Sequence, residues 1–293
     1  MYFVKLLFVL TLGCLMGWTI RKYTPHLLGK KDKKRPFSWP WVEILSALSF
    51  LLLFLNLPFH LSSAGWYLFA AYLIAVSSTD FLSKCIPDSL LFSGTAFGLL
   101  VSSLTPAYIN RFLSQSSYLD LFHMDLNMWQ SGLILSLAGA LLGLAMLEFL
   151  RRTMRQMTGM EVMGVGDSLL LMMIGSFIGP KMVFIAILPS SLIGIAIGLY
   201  FKWKEGAPHS PFGPALALGG FLQLLFWREI EAAIDGFYRS LYSMSKNFMF
   251  FFAFILLVVL FLLILRMKRK ASEYEKQIND DYHKIYSEME DKP

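Results

Sequence analysis

The sequence of 293 residues is 56% hydrophobic and only 16% charged, whereas a soluble domain carries about a quarter charged residues. Its apolar residues come in long blocks without a polar face, which excludes a single soluble core and favours helices that cross a bilayer. The formal net charge of +6 falls mainly between these blocks, so it indicates membrane orientation and not nucleic-acid binding. Cys14 and Cys85 stand far apart without a CxxC spacing, so neither a zinc site nor a disulfide framework is indicated.

Nine apolar segments are predicted as transmembrane helices, so we expect an all-α, polytopic membrane helix bundle. They cover residues 3–20, 41–60, 64–80, 88–105, 129–150, 168–188, 189–201, 212–227 and 247–266. The first is not a cleavable signal peptide, because its basic residues follow the apolar run instead of preceding it. The seventh and eighth are short and are interrupted by Gly and Pro.

The distribution of basic residues predicts the orientation of these helices. Of the 26 Lys and Arg residues, six lie in the first span or on the outer side: Lys5, Arg111, Lys181, Arg228, Arg239 and Lys246. The other 20 lie on the inner side if the N-terminus is outside and the C-terminal tail is cytoplasmic. This topology puts Asp80 and Asp167 at the cytoplasmic face.

The same pattern predicts three parts along the chain. An anchor helix and a short basic loop occupy 1–40, a membrane domain occupies 41–230, and an extra transmembrane helix with a charged cytoplasmic tail occupies 231–293.

Two aspartates stand at span boundaries, Asp80 at the end of the third span and Asp167 at the start of the sixth. Two neighbouring carboxyl groups share a proton, because close like charges cannot both ionise cheaply. The protonated acid can then polarise a carbonyl while the ionised one draws a proton from water. An alternative is a transporter in which intramembrane acids relay protons.

Asp167 could be an ordinary helix cap or one of a pair of reactive acids, and the residues before it help to distinguish these roles. An Asp at a helix start often caps the helix, as we expect Asp88 to do in the sequence IPDSLL. Capping does not need the glycines Gly164 and Gly166 of the sequence GVGD. Glycine permits positive φ and close approach of backbone, so these two residues are expected to make room for a substrate strand or a facing helix.

Four segments, in order, resemble the motifs of the type IV prepilin peptidases, which are membrane aspartic proteases of the GxGD class. They read RPFSWPWVEILSALSF, STDFLSKCIPDSLL, GMEVMGVGDSLLLMMIGSFIGP and PFGPALALGG, and together they extend over roughly residues 35–220. The resemblance implies that Asp80 and Asp167 are the catalytic acids. It also implies that Pro87, Gly164 and Gly166 belong to the active-site loops.

The resemblance further implies the substrate and the location. Substrates of this family are prepilins and pseudopilins, whose short basic leader lies in the cytoplasm beside the bacterial inner membrane. Glu161 is expected to attract that leader, the alternative being an ordinary solvated loop charge. No metal and no cofactor are expected, and the partners are the substrate and the lipid bilayer.

Three departures from the family pattern bear on function. The loop after the first span has no cysteine and therefore no zinc-binding insert, and the end of the first span reads GWTIRK where the family has Gly-Ser-Phe-Leu-Asn. Leu169 stands where the family usually has lysine. We therefore expect leader cleavage without N-methylation. A catalytically silent relative that binds pilin-like helices is the alternative.

Overall fold

The computed structural model describes residues 2–27, 40–57, 63–105, 128–159, 163–205 and 212–243, with single positions at 254, 255 and 258. This part of the chain is all-α, as expected, and contains eight long helices. They are α1 (Tyr2–Leu27), α2 (Trp41–Asn56), α3 (Ala64–Ser83), α4 (Asp88–Leu104), α5 (Met128–Thr158), α6 (Val165–Glu205), α7 (Gly213–Leu225) and α8 (Trp227–Ser243). Residues 1–148 and 165–230 form one compact unit, and 149–164 and 231–293 form a second.

Several helices have the length and composition of membrane spans. Three in the described ranges are long enough, Phe3–Thr24, Trp129–Met157 and Val165–Tyr200, and three shorter apolar helices accompany them. Large apolar side chains remain exposed on the outer surface, such as Phe3 at 73%. Bilayer hydrocarbon would cover such a surface, and the chain is a helical membrane protein.

The structure adds a helix to one predicted connection and describes little of the ninth predicted span. The segment between the eighth and ninth predicted spans, residues 228–246, contains α8, which begins at Trp227 and which the prediction did not include. Apolar residues recur in α8 at helical spacing between charged ones, a pattern that a search for continuous apolar runs overlooks. The ninth span, 247–266, lies outside the described residues apart from 254, 255 and 258, so the count of nine stays a prediction.

The boundary predicted between the sixth and seventh spans, at 188 and 189, is also wrong. Pro189 lies within α6, and the non-helical residue of that helix is Gly179, with φ 77° and ψ 176°. Glycine adopts this positive φ without steric cost. Pro180 follows it at the first position of the second half, where a missing N–H costs nothing and the fixed φ suits a helix.

The second half of α6 runs antiparallel to α7. Ser190 lies against Gly219, whereas Gly194, one turn further along α6, lies against Phe212 at the start of α7.

The first half of α6 runs in the opposite direction. Gly166 and Gly213, the first residue of α7, both lie beside Ile86, and Ile174 lies beside Gly220 further along α7. The chain therefore reverses at Gly179, and two oppositely directed segments exist as the sequence predicted, with a different boundary.

The first half of α6 is the centre of the core. Its apolar residues are almost wholly inaccessible: Leu170, Leu171, Met173, Ile174, Phe177 and Ile178. The ring of Phe177 lies 4.8 Å from that of Phe69 in α3. Gly139 of α5 lies directly on the backbone of Gly175, and Gly98 of α4 lies on Ser176 and Phe177. These small residues let three helices approach closely and fix the helix that begins beside Asp167.

Two serines stabilise the break in α6. Pro180 has no N–H, so the carbonyl of Ser176 loses its helical donor four residues on. The hydroxyls of Ser102 in α4, at 3.3 Å, and of Ser136 in α5 both donate to that carbonyl. All three groups are buried, and an unpaired carbonyl here would cost about 1–3 kcal/mol.

Helix α1 is joined to α2 through two glycines one turn apart. Gly13 lies against the backbone of Ala47 and Gly17 against that of Glu43. At the same end, Arg21 Nε lies 2.9 Å from a carboxylate oxygen of Glu43. This contact holds α2 against the bundle.

We expect the double substitution Ser102→Ala and Ser136→Ala to destabilise the protein by about 1–3 kcal/mol, because the Ser176 carbonyl then has no donor. Each single substitution should cost less, since one hydroxyl remains. Thermal unfolding in detergent measures the difference. Ser191→Ala is the matched control, because the Ser191 hydroxyl bonds its own helix at the Ile187 carbonyl, 2.8 Å away. A double variant that unfolds at the control's temperature would contradict this account.

Candidate active site

Asp80 lies in the last turn of α3 and is only 6% exposed. The helix ends at Ser83. Lys84 then adopts a left-handed conformation with φ 54°, and its N–H donates to the Asp80 carbonyl at 2.8 Å. A short connection through Cys85, Ile86 and Pro87 leads into α4. The backbone around Asp80 is therefore fixed on both sides.

The Asp80 carboxylate is held by the beginning of α7. The backbone N–H of Gly213 donates to Asp80 Oδ2 at 3.1 Å, and the bond is buried. Gly213 is the first residue of α7, where N–H groups have no partner within the helix and commonly bind anions. A Cβ at this position would overlap Asp80 Oδ2, so the contact requires glycine. Gly213 lies in the motif PFGPALALGG, but nothing in the local sequence assigns it to the site.

Ile86 joins this contact to the GVGD sequence. Its side chain is 8% exposed. A Cβ placed on Gly213 would lie 3.2 Å from Ile86 Cδ1, and one placed on Gly166 would lie 3.5 Å from Ile86 Cβ. One apolar side chain therefore touches the beginnings of both α6 and α7. Nothing in the sequence singled out Ile86, although it is the apolar residue between a polar loop and a proline.

Asp167 is the residue after Gly166 and lies in the first turn of α6. The helix begins at Val165, so Asp167 is inside the helix and does not occupy the capping position. Its position near the N-terminal end still favours a negative charge. The structure thus brings Asp80, Gly213, Ile86 and Gly166 together, with Asp167 next along the chain.

The two glycines of GVGD do not adopt the positive φ that their type permits. Among the described residues, the glycines with positive φ are Gly159 and Gly179. Positive φ is therefore not what distinguishes Gly164 and Gly166, and their expected role of making room stays a prediction. A Cβ on Gly166 would make only ordinary contact with Ile86, so the fold itself does not demand glycine there. Gly164 is exposed and precedes α6 directly.

The expectation that Asp88 caps α4 is off by one position. Pro87 is the capping residue, with φ −66° and ψ 126°. Its carbonyl accepts the N–H of Leu91 at 3.4 Å. Asp88 is the first residue of the helix. Pro87 therefore fixes the direction in which the loop enters α4 and, with it, the place of Ile86.

The expected role of Glu161 stays a prediction. Glu161 lies outside the described residues. Within the described ranges, no group of three His, Cys, Asp or Glu side chains is placed to hold a metal ion.

An apolar groove of about 550 Å³ opens beside the buried carboxylate. Helices α2, α3 and α7 form it. The residues that line it are Trp41, Val42, Leu45, Ser49, Ala70, Leu73, Ile74, Ser77, Ser78, Phe81, Pro214, Ala217, Leu218 and Phe221. Phe81 and Pro214 directly follow Asp80 and Gly213 in the chain, so this groove, the α2–α3–α7 groove, ends at the Asp80–Gly213 contact.

Comparison with known proteins identifies the family. The model of the Type IV leader peptidase family matches residues 67–199, which include both aspartates. A protein of Escherichia coli O78:H11 named "Type 4 prepilin-like proteins leader peptide-processing enzyme" is 32% identical over 223 residues, which cover 72% of this chain and 70% of that enzyme. The chain belongs to the type IV leader peptidase family.

Other members of the leader peptidase family show similar identity. A "Prepilin leader peptidase/N-methyltransferase" of Xanthomonas campestris pv. campestris is 29% identical over 228 residues, 77% of this chain and 69% of the relative. Another of that name, from Stutzerimonas stutzeri, is 29% identical over 205 residues, 69% of this chain and 63% of the relative. No solved structure gives a significant match.

We expect Gly213→Ala to destabilise the protein by about 1–3 kcal/mol, because the new methyl group overlaps Asp80 Oδ2 and either the buried carboxylate or α7 must shift. Gly166→Ala is the matched control, since its methyl group would lie 3.5 Å from Ile86 Cβ, in ordinary contact. Thermal unfolding of the two variants in the same detergent makes the comparison. Equal stability of the two variants would show that the close contact between α7 and Asp80 is incidental.

Proposed function

We propose that this protein is an aspartic endopeptidase of the bacterial inner membrane that removes the basic leader of prepilin-like or pseudopilin substrates at the cytoplasmic face. The observation that carries the proposal is that two parts of the candidate site both contact Ile86. The surroundings of Asp80 and the beginning of the helix that bears Asp167 touch this one side chain. Membership of the leader peptidase family and the printed names of the relatives support the same activity.

In the proposed mechanism, Asp80 and Asp167 act as a pair on one water molecule. The ionised carboxylate takes a proton from water as the water oxygen attacks the scissile carbonyl carbon. The protonated acid donates a hydrogen bond to the carbonyl oxygen. The tetrahedral intermediate then collapses: the C–N bond breaks, and the departing amine takes the proton that the carboxylate received from water, which returns the pair to its starting state. Gly213 positions Asp80 through its N–H, and the absence of a side chain at Gly166 leaves room for the substrate backbone.

The proposed topology has nine spans, an outer N-terminus and a cytoplasmic tail. The described helices support it, because the Asp80 end of α3, the first turn of α6 and the first residue of α7 meet at the same place. Alternating spans would put all three at the cytoplasmic face. Glu161, in the segment before GVGD, is proposed to attract the basic leader.

The second candidate function is a catalytically silent protein that binds pilin-like helices without cleaving them. Leu169 favours it, because a cation at this position, two residues after Asp167, would stabilise the carboxylate and leucine cannot. A binding assay run beside the cleavage assay separates the two functions.

We expect Asp80→Asn and Asp167→Asn each to lower leader cleavage by at least about 10³-fold, because an amide can neither take nor give the proton. The measurement is mass spectrometry of a prepilin substrate incubated with the purified protein in detergent. Asp88→Asn is the control, since Asp88 stands at a helix start without a role in the chemistry. It should cleave at the unsubstituted rate.

Each other outcome of this experiment has a definite meaning. Normal processing by either Asp80→Asn or Asp167→Asn would overturn the paired mechanism. Substrate binding without any cleavage by the unsubstituted protein would favour the silent relative.

We also expect cleavage without methylation of the new N-terminus. A methyl donor the size of S-adenosylmethionine needs a pocket of a few hundred cubic ångströms, and the segment 21–40 is short, basic and free of cysteine. Its basic residues are better suited to anionic headgroups, at about 1 kcal/mol each near the surface. Mass spectrometry of the product with S-adenosylmethionine present is the test. A gain of about 14 daltons, one methyl group in place of a hydrogen, would contradict this expectation.

A further inference from the structure

We propose that the α2–α3–α7 groove seats the apolar helix of the substrate, with the N-terminal end of that helix beside Asp80. The proposal rests on the proposed peptidase function, because it names the part of the substrate that the site holds. It adds a binding surface within the membrane to the chemistry at its edge.

The first argument is continuity with the candidate active site. Phe81 and Pro214, which border the groove, directly follow Asp80 and Gly213 in the chain, and those two residues share a hydrogen bond of 3.1 Å. An apolar helix in the groove would therefore end within reach of the carboxylate. Cleavage between a polar leader and an apolar helix requires such a junction.

The second argument is the length of the groove. On α3 it extends from Ala70 to Phe81. At 1.5 Å per residue this distance is about 16 Å, or about three helical turns. The groove therefore matches the first turns of a membrane helix that enters the bilayer from the cytoplasmic side.

The third argument is the chemistry of the groove surface. The hydroxyls of Ser77 and Ser78 donate to the carbonyls of Leu73 and Ile74 at 2.8 Å and 2.7 Å, so they present no unsatisfied polar group. Several of the side chains that line the groove are small, namely Ala70, Ser77 and Ser78 on α3 and Ala217 on α7. Helices associate within membranes through such small residues, because the backbones can then approach closely.

The fourth argument concerns the edges of the groove. Trp41 and Phe81 are 52% and 56% exposed. Both stand at its cytoplasmic end, where an aromatic side chain can contact the part of the substrate beside the scissile bond. A lipid chain would fill the same apolar space without a fixed register along α3, and this difference decides the test.

The principal test is cross-linking in a full-length protein with Cys14 and Cys85 replaced by serine and with Asp167→Asn to keep the substrate uncleaved. Ser77→Cys or Ile74→Cys is paired with single cysteines along the apolar helix of a prepilin. Because Ile74 lies three residues further from Asp80 along α3, its partners should lie about three residues further along the substrate, or about 4.5 Å. Ser103→Cys on α4 is the control and should give no cross-link.

A functional test places a large side chain in the groove instead of forming cross-links. Ser77→Phe should lower kcat/KM for a full-length prepilin at least about tenfold, or about 1.4 kcal/mol. Ser103→Phe should stay within about twofold, because the Ser103 hydroxyl also bonds only its own helix, at the Leu100 carbonyl. Retained solubility and unfolding temperature show that each variant folds.

The outcomes separate this proposal from the proposed function. Cleavage by the unsubstituted protein, with cross-links that shift in register, supports both. Cleavage without a register shift, equal cross-linking from Ser103→Cys, or normal processing by Ser77→Phe overturns the groove and leaves the peptidase function intact. Cross-linking of Ser77→Cys to a cysteine in residues 247–266 of this chain would show that the protein covers its own groove. Absence of cleavage by the unsubstituted protein would overturn the proposed function first.

Discussion

The hydrogen bond from the Gly213 N–H to the Asp80 carboxylate is the constraint around which the rest of the site is arranged. It joins residues 133 positions apart and is buried, where a carboxylate without a donor would be strongly unfavourable. The free N–H groups at the start of a helix are a ready source of such donors. A side chain at position 213 would overlap the acid, so glycine lets α7 begin against Asp80 without displacing the carboxylate. The same contact sets the end of the α2–α3–α7 groove.

The first half of α6 provides the second fixed element. It is enclosed by α3, α4, α5 and α7, and its start lies against Ile86. Close contacts at Gly98, Gly139 and Gly175 leave it little freedom to slide. The reversal at Gly179 and Pro180 would leave a buried carbonyl without a donor, and serines on two neighbouring helices satisfy it. A rigid helix in the centre of the bundle is a suitable support for the acid that the proposed mechanism pairs with Asp80.

The position of Asp80 relates the proposed chemistry to the membrane. Asp80 lies at a point where a polar loop, a helix start and an apolar groove come together. A substrate with a basic leader and an apolar helix has the same sequence of polarity along its length. The proposed function needs no large movement to bring a scissile bond to this junction, because polar and apolar surfaces already meet there.

The sequence by itself determined the all-α architecture and the limits of α2, α3, α4 and α7 to within a few residues, and it led to the proposal that the two acids are catalytic. These conclusions depend on long apolar runs and on motifs that are local in the chain, and local patterns are readable without coordinates. The tertiary structure decided which residues complete the site. Gly213 and Ile86 act through contacts between residues far apart in the chain, and no local pattern reports such a contact. It also decided that α6 reverses at Gly179, where hydropathy favoured a boundary near Pro189. Both prolines interrupt an apolar run in the same way, so the sequence does not distinguish them. The non-helical backbone at Gly179, and the serine hydroxyls that bind the carbonyl left without a donor by Pro180, show that the turn lies at Pro180.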